Sequence, residues 1–427
     1  MTYEETLEWI HHRLKFGSRP GLIRVETLLE RIGNPHVGLP IVHIGGTNGK
    51  GSTVAFLRGL LEAQGLKVGT FTSPFITAFN ERMSINQHPI SNEMLVALVE
   101  QVKPVVEEMD KELEIAGITE FELITVLMFL YFKEQEVDVA LVEVGLGGLL
   151  DSTNVIVEPL ATAITTIGFD HMDILGNSLE AIATQKAGII KSAAPAIVGQ
   201  LPEEAQAVME RTAQIKNSPL YVLGKDYTYN ELGNNIFEFT YKTHQYVLKQ
   251  PLMGHHQFHN AAVALMTYLT IASKLEVSVE KEAIQEGFHQ VTWPGRMEIM
   301  SNNPLIVIDG AHNEPAVRTL VDNIRQDFSN KQVTILFAAI NTKDISSMLE
   351  MLEEVVEERL HVTTFDYPTA VPMTAYVDKF PISQRHVDWK LAFTQLKKEL
   401  SPDDVLLVTG SLYFISQVRA YITEDEE

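Results

Sequence analysis

The stretch Ile41-Val-His-Ile-Gly-Gly-Thr-Asn-Gly-Lys-Gly-Ser-Thr-Val54 decides how this chain is read. It runs as a short apolar strand, a glycine-rich turn with one lysine, and the start of a helix at Ser52-Thr53. That order of elements suits a polyphosphate. Glycines let the backbone wrap closely, successive N–H groups point inward, the helix N-terminus adds partial positive charge, and the lysine reaches the outer phosphates. The spacing departs from the standard phosphate loop G-x-x-x-x-G-K-[ST]. Ile44 stands where the first glycine belongs, and Gly51 separates Lys50 from Ser52. A plain glycine turn with a solvated lysine is the bland alternative. The agreement of strand, turn and helix weighs against it.

Moving outward, strand and helix patterns alternate. Val54–Gln64 reads as a helix closed by Gly65, and Val68–Thr72 as a strand. Glu93–Leu113 and Glu120–Phe132 read as helices, Val137–Val144 as a buried strand and Ala161–Ile167 as another. This is the rhythm of a mostly parallel sheet covered by helices. From Leu220 to Leu248 the texture changes to short alternating segments such as Asn235-Ile-Phe-Glu-Phe-Thr-Tyr241, which suggests a small antiparallel sheet. After a connector at Trp293-Pro-Gly-Arg-Met-Glu298, apolar strands at Leu305–Ile308, Val333–Ala338, Leu360–Thr364 and Val405–Val408 define a second, smaller α/β unit. The expected division is 1–297 and 298–427.

Composition bounds the function. The chain has 427 residues, no cysteine and a net charge of −23. Disulfides and thiolate metal sites are therefore excluded. Nucleic acid is disfavoured as a partner because phosphate backbones need a positive surface. The acidic, amphipathic start Met1–Ile10 is unlike a secretory signal, and the apolar run Leu123–Phe132 is too short to span a bilayer. The expectation is a cytoplasmic protein without a membrane partner.

In such sheets ligands gather just past the strand ends. Glu143 stands near the end of its strand, where a carboxylate beside a phosphate loop completes a Mg²⁺–nucleotide site. Asp170, His171 and Asp173 follow the strand Ala161–Ile167, in a combination suited to metal binding or proton transfer and equally common in turns. Lys186 follows an apolar helical face and precedes Gly188; if buried, it needs a partner or a modification. Asp309-Gly-Ala-His-Asn313 puts Asp and His at the end of the second unit's first strand. His255, His256 and His259 resemble a metal cluster, but they open a helix beside no acidic neighbour, so no metal is assigned to them.

Taken together, these landmarks resemble the folylpolyglutamate synthase/dihydrofolate synthase family of Mur-type ATP-dependent amide ligases. The resemblance runs over nearly the whole chain. It includes Lys15-Phe-Gly17, Arg19-Pro-Gly-Leu-Ile-Arg24, Gly46–Ser52, Thr72-Ser-Pro74 and Phe79-Asn-Glu-Arg82. It continues through Glu143-Val-Gly-Leu-Gly-Gly148, Asp151-Ser-Thr-Asn154, Asp170-His171, Lys186–Lys191, Trp293–Arg296 and Asp309–Asn313. It implies a phosphate-loop Mur-ligase-like domain followed by a smaller Rossmann-like α/β domain that closes over the site. It further implies a likeness to enzymes that join L-glutamate to a reduced folate or its polyglutamates, using ATP, through an acyl phosphate.

By matched position, Thr47, Asn48, Gly49, Lys50, Gly51 and Ser52 would cradle ATP, with Asn260, Arg296, Asp309 and His312 embracing the nucleotide. Ser52, Ser73, Glu143 and His171 would hold two Mg²⁺ ions, and Lys186 matches a carbamylated lysine. Glu143, His171 and Lys186 are thus the expected catalytic set, Ser73–Met83 a mobile loop, and the chain a monomer. Gln185 stands where members often have Glu, Leu149 where many have Arg, and Phe75 where many carry His. Phe75 tilts the expectation toward glutamate addition to a reduced folate over use of dihydropteroate. The alternatives are a bifunctional enzyme that also makes dihydrofolate, a Mur ligase of cell-wall precursors, or a noncatalytic nucleotide switch. The Mur ligase of cell-wall precursors normally carries an added uridine-nucleotide domain. The last does not need Asp309 and His312.

Overall fold

The structure, a computed structural model, describes residues 1–13, 21–112, 117–341 and 345–424. The motif Lys15-Phe-Gly17, the pair Arg19-Pro20 and the expected helix end at Leu113 lie outside the described residues. Two compact units are present. One comprises Met1–Pro251 and Phe258–Val291, the other Leu252–Gln257 and Thr292–Glu427. The connector Trp293–Glu298 belongs to the second unit.

In the first unit, strands β1 (Ile41–Gly45), β2 (Val68–Phe71), β3 (Met83–Ile85), β4 (His88–Pro89), β5 (Val139–Glu143), β6 (Ala161–Ile164), β7 (Ala196–Val198) and β8 (Leu220–Val222) form an eight-stranded sheet. Its order is β4-β3-β2-β5-β1-β6-β7-β8. The pairs from β2 to β8 are parallel, while β3 and β4 join antiparallel at one edge. Every residue of β1 and β5 is buried, as a strand covered by helices on both faces requires. The helix Glu120–Glu134 begins with a capping box from Thr119 and Glu122 and buries nearly all of its length, which accounts for the apolar run Leu123–Phe132.

The small antiparallel sheet is β9 (Tyr227–Gly233), β10 (Ile236–Tyr241) and β11 (His244–Lys249), in the order β11-β10-β9. Its alternation shows in β10, where Phe237 and Phe239 are buried between more exposed neighbours. Leu220–Val222 departs from the sequence reading, which grouped it with this sheet. The segment pairs in parallel with β7, because the helix Glu203–Ile215 supplies a crossover that a hairpin lacks.

The second unit carries β12 (Glu298–Asn302), β13 (Leu305–Ile308), β14 (Val333–Phe337), β15 (Leu360–Thr363), β16 (Arg385–His386) and β17 (Val405–Thr409). Their order is β12-β13-β17-β14-β15-β16, parallel except for the β12–β13 pair. Val307, Ile335 and Leu407 from the sheet, with Leu320 and Leu352 from the helices, anchor its core.

Candidate active site

β1 lies between β5 and β6, so the chain leaves three neighbouring strand ends side by side: Gly45 onward, Glu143 onward and Ile164 onward. Most of the residues singled out in the first unit follow from that adjacency. The turn after β1 leads into a helix that begins at Lys50, with Gly49 as a left-handed cap at φ +83°. The turn is held from β6. Thr47 N–H donates to Thr166 O at 2.8 Å, Asn48 N–H to Thr166 Oγ1 at 3.0 Å, and Thr165 Oγ1 to Asn48 O at 2.5 Å. Two glycines are required by close approach. A Cβ on Gly46 would lie 1.9 Å from Thr165 Oγ1, and one on Gly49 would lie 2.3 Å from Asn260 Oδ1. Asn260 therefore packs directly on the turn.

Charged side chains converge there. Lys50 Nζ donates to Gly46 O and Thr47 O, each at 3.1 Å, and stands 3.9 Å from Glu143 Oε1. Lys186 comes from the helix Leu179–Ala187 and donates from Nζ to Gly46 O at 2.9 Å. It is only 5% exposed. Burial, followed by the charge of Lys50, pulls its ammonium down to about 7 against the opposing pull of Asp170 and Asp151. A large share of Lys186 is then the neutral, nucleophilic amine near neutral pH.

Ser73 follows β2, the strand beside β5, and so shares the sheet edge with Glu143. In the segment beyond it, Glu81 accepts hydrogen bonds from the N–H groups of Ile76, Thr77 and Ala78, and Arg82 lies 5.2 Å from the Phe75 ring. His171 caps a short helix at φ +49°, with its Nε2 3.8 Å from Asp170 Oδ1. It is the most exposed of the set, at 45% for its side chain. Among the described residues, no group of three or more His, Cys, Asp or Glu gathers to hold a metal ion unaided. One buried carboxylate with the hydroxyls of Ser52 and Ser73 nonetheless fits Mg²⁺, which keeps several waters and shares phosphate oxygens.

The sequence reading passed over a buried relay beneath this turn. Thr153 Oγ1 donates to Asp151 Oδ1 at 2.5 Å and receives His43 Nε2–H at 2.8 Å. Asp151 Oδ2 in turn accepts Leu146 N–H at 2.7 Å, pinning the segment just after Glu143. Burial, helped by the charge of Lys191, lowers His43 to about 3, so the imidazole stays neutral. The available signal was a single histidine inside the apolar strand Ile41–Ile44. His259 likewise binds backbone, with Nε2 3.0 Å from Thr165 O.

In the second unit, Asp309 follows β13 and is buried. Its carboxylate accepts Met297 N–H and Ala311 N–H, both at 2.9 Å. Burial raises it, with Arg296 as the main opposing charge. Arg296 Nη1 lies 2.1 Å from where a Cβ on Gly310 would sit, and His312 Nδ1 is 2.7 Å from Gly310 O. Arg296, on the connector, thus meets the turn that carries Asp309 and His312.

The phosphate-type turn and Glu143 at adjacent parallel strand ends, met by Lys186 from its helix, lie within a chain that belongs to the Mur-type ligases. The Mur ligase middle domain matches residues 44–268, and the Mur ligase glutamate ligase domain matches residues 295–412. Within the Mur ligases, the chain belongs to the folylpolyglutamate synthase/dihydrofolate synthase family. It is 41% identical over 427 residues to the dihydrofolate synthase/folylpolyglutamate synthase of Bacillus subtilis, covering 98% of each chain. It is 35% identical to the folylpolyglutamate synthase of Lacticaseibacillus casei, again over 98% of each. Among solved structures, an FPGS–AMPPCP–folate complex aligns with a TM-score of 0.86 at 34% identity, covering 99% of this chain and 100% of that one. The ADP complex of Mycobacterium tuberculosis folylpolyglutamate synthase aligns at 0.89 and 27% identity, over 98% of both.

Proposed function

We propose that this protein adds L-glutamate to the carboxylate of a reduced folate, including folates that already carry glutamates, with ATP converted to ADP and phosphate. The observation that supports this best is the convergence of Lys50, Glu143 and Lys186 on one turn, with Lys186 Nζ 2.9 Å from Gly46 O. A carboxylate is a poor electrophile because its own charge repels a nucleophile. Its oxygen attacks the γ-phosphorus and the bond to the β,γ-bridging oxygen breaks, leaving ADP and an acyl phosphate. The glutamate amine then attacks the acyl carbon, gives up a proton, and phosphate departs.

Thr47, Asn48, Gly49, Lys50, Gly51 and Ser52 hold the phosphates in this account, with Lys50 offsetting charge on the transferred group. Asn260, Arg296, Asp309 and His312 bind the nucleotide. Ser52, Ser73, Glu143 and His171 would hold two Mg²⁺ ions, whose bound charge offsets repulsion between ATP and the carboxylate. The phosphate-binding turn, Glu143 and Lys186 belong to the first unit, and Arg296, Asp309 and His312 to the second. We further read the enzyme as a cytoplasmic monomer; no helix among the described residues is long and apolar enough to cross a membrane.

Lys186 is placed to react with CO₂. Its neutral amine attacks the carbon, forms the N–C bond and loses a proton, converting a buried cation into an anionic oxygen ligand. A carbamate at this position gives a single ¹³C resonance after growth in ¹³C-bicarbonate, absent in Lys186→Arg. Because the ammonium form cannot react, occupancy should fall as pH drops below about 7.

Incubation with ATP, glutamate and tetrahydrofolate tests the main reading, with phosphate release requiring both co-substrates. Release with neither would contradict it. The B. subtilis relative's double name favours a second activity on dihydropteroate, while Phe75 supplies an apolar ring beside Phe79 and Arg82. Side-by-side assays should show tetrahydrofolate as the better substrate.

A further inference from the structure

β15 and β16 run parallel at the outer edge of the second unit's sheet, with Val362 opposite Arg385 and Thr363 opposite His386. His361 stands two residues before Thr363, so its side chain leaves the same face as that of His386. The two imidazoles meet as a diagonal pair. His361 Nδ1 is 3.0 Å from His386 Nε2, with ring centres 5.2 Å apart and planes tilted by 38°. Both residues are half-buried, which leaves solvent access. Burial, reinforced by the neighbouring imidazole, holds His361 down to about 4, and burial also lowers His386. The carboxylate of Glu399, at the end of the helix Trp389–Glu399, opposes both shifts. The pair is therefore neutral at pH 7.

Two facing ring nitrogens on neutral imidazoles share one hydrogen. When the donor ring carries its hydrogen on the far nitrogen instead, the two facing nitrogens turn lone pairs toward each other, and a modest tilt of both rings brings those lone pairs to one point. That tautomer change releases no proton from the protein. Metal–imidazole bonds of about 2.0–2.1 Å in a tetrahedral arrangement would place the nitrogens roughly 3.3 Å apart, a few tenths of an ångström beyond the present spacing.

We propose that His361 and His386 form a two-imidazole seat for a late first-row divalent metal ion, copper or zinc. Water completes the coordination, and the nearby charge of Glu399 favours a cation. Imidazole selects these ions over Mg²⁺, with Cu²⁺ held more tightly than Zn²⁺. Binding ties β16, a strand of two residues, to β15, and so stabilises the folded second unit by an amount that grows with the logarithm of metal concentration above the dissociation constant.

The test uses the full chain. Cu²⁺ at one equivalent should give an electron paramagnetic resonance spectrum with coupling to two imidazole nitrogens. Calorimetric titration with Zn²⁺ in excess Mg²⁺ should show a site that weakens by at least about tenfold in His361→Gln and in His386→Gln, because each removes one of two ligands. His255→Gln with His256→Gln should leave that site unchanged, which separates it from the chain's other histidines. Metal-free melting curves check that each variant folds. Zn²⁺ affinity equal in wild type and the His361→Gln/His386→Gln double variant would overturn the proposal. So would a wild-type copper spectrum lacking two-nitrogen coupling, a result that depends on no variant.

Discussion

Two turns in this chain carry the same kind of sequence signal, a charged or polar group just past a buried parallel strand, yet they use their carboxylates differently. After β5, Glu143 faces a cation, with Lys50 3.9 Å away and Lys186 bonded to the same turn as Lys50. After β13, Asp309 is committed to two backbone N–H groups, those of Met297 and Ala311, and braces the connector against the strand end. The first arrangement concentrates charge, and under the proposed function this is where charge is neutralised during reaction. The second fixes backbone, tying the connector that carries Arg296 to the turn that carries His312. A strand-end acid is therefore a site by virtue of what it faces.

That contrast can be broken by substitution. Removing the acid that faces the cations should have the largest effect. Glu143→Ala is expected to lower kcat/KM by about 10³-fold, the scale of several kcal/mol of lost electrostatic stabilisation, with a nearly unchanged melting temperature. Lys50→Met should follow, with kcat down by about 10²-fold in steady-state assays. Asp309→Ala should reverse the pattern. It leaves two buried N–H groups without an acceptor, so stability falls by about 1–3 kcal/mol in denaturant titrations, while kcat changes less than KM for ATP. If Asp309→Ala instead matches Glu143→Ala in kcat and leaves stability intact, the two turns work alike and the contrast fails.

Smaller effects sharpen the picture. Unfolded histidine takes its proton near pH 6.5, whereas folded His361 takes it only near about 4. The unfolded chain therefore binds more protons across that window, and stability is lost as pH falls from 6.5 toward 4. His386 and Glu399 are the titratable groups facing it. Urea melts at pH 7 and pH 5 should show this loss in wild type and a shallower one in His361→Gln. Phe75→His should change the ratio of dihydropteroate to tetrahydrofolate turnover by less than about tenfold, as expected for altering one pocket contact.

Much of this was legible in the residues. Ile41–Ser52 announced strand, turn and helix, and the parallel strands bearing Glu143 and Leu305–Ile308 were plain from unbroken apolar runs beside turn residues. The apolar neighbours of Lys186 allow partial burial, but taken alone they read better as a surface lysine, and its bond to Gly46 O joins residues far apart in sequence. Pairing across long sequence distance was harder. Leu220–Val222 carries the alternation of a hairpin strand, and only its crossover helix sends it to the parallel sheet. The His43–Thr153–Asp151 relay joins residues 110 apart, and the diagonal contact between His361 and His386 depends on strand register. Local patterning cannot encode either.

Under the proposed function, the turn after β1, with Glu143 and Lys186, drives phosphoryl transfer to a folate carboxylate. Product analysis with carboxylate-¹⁸O-labelled tetrahydrofolate, ATP and glutamate tests it directly. The account predicts one ADP and one phosphate per glutamyl product, with a single ¹⁸O carried from the folate into the phosphate. AMP and pyrophosphate as products, or phosphate without the label, would contradict it.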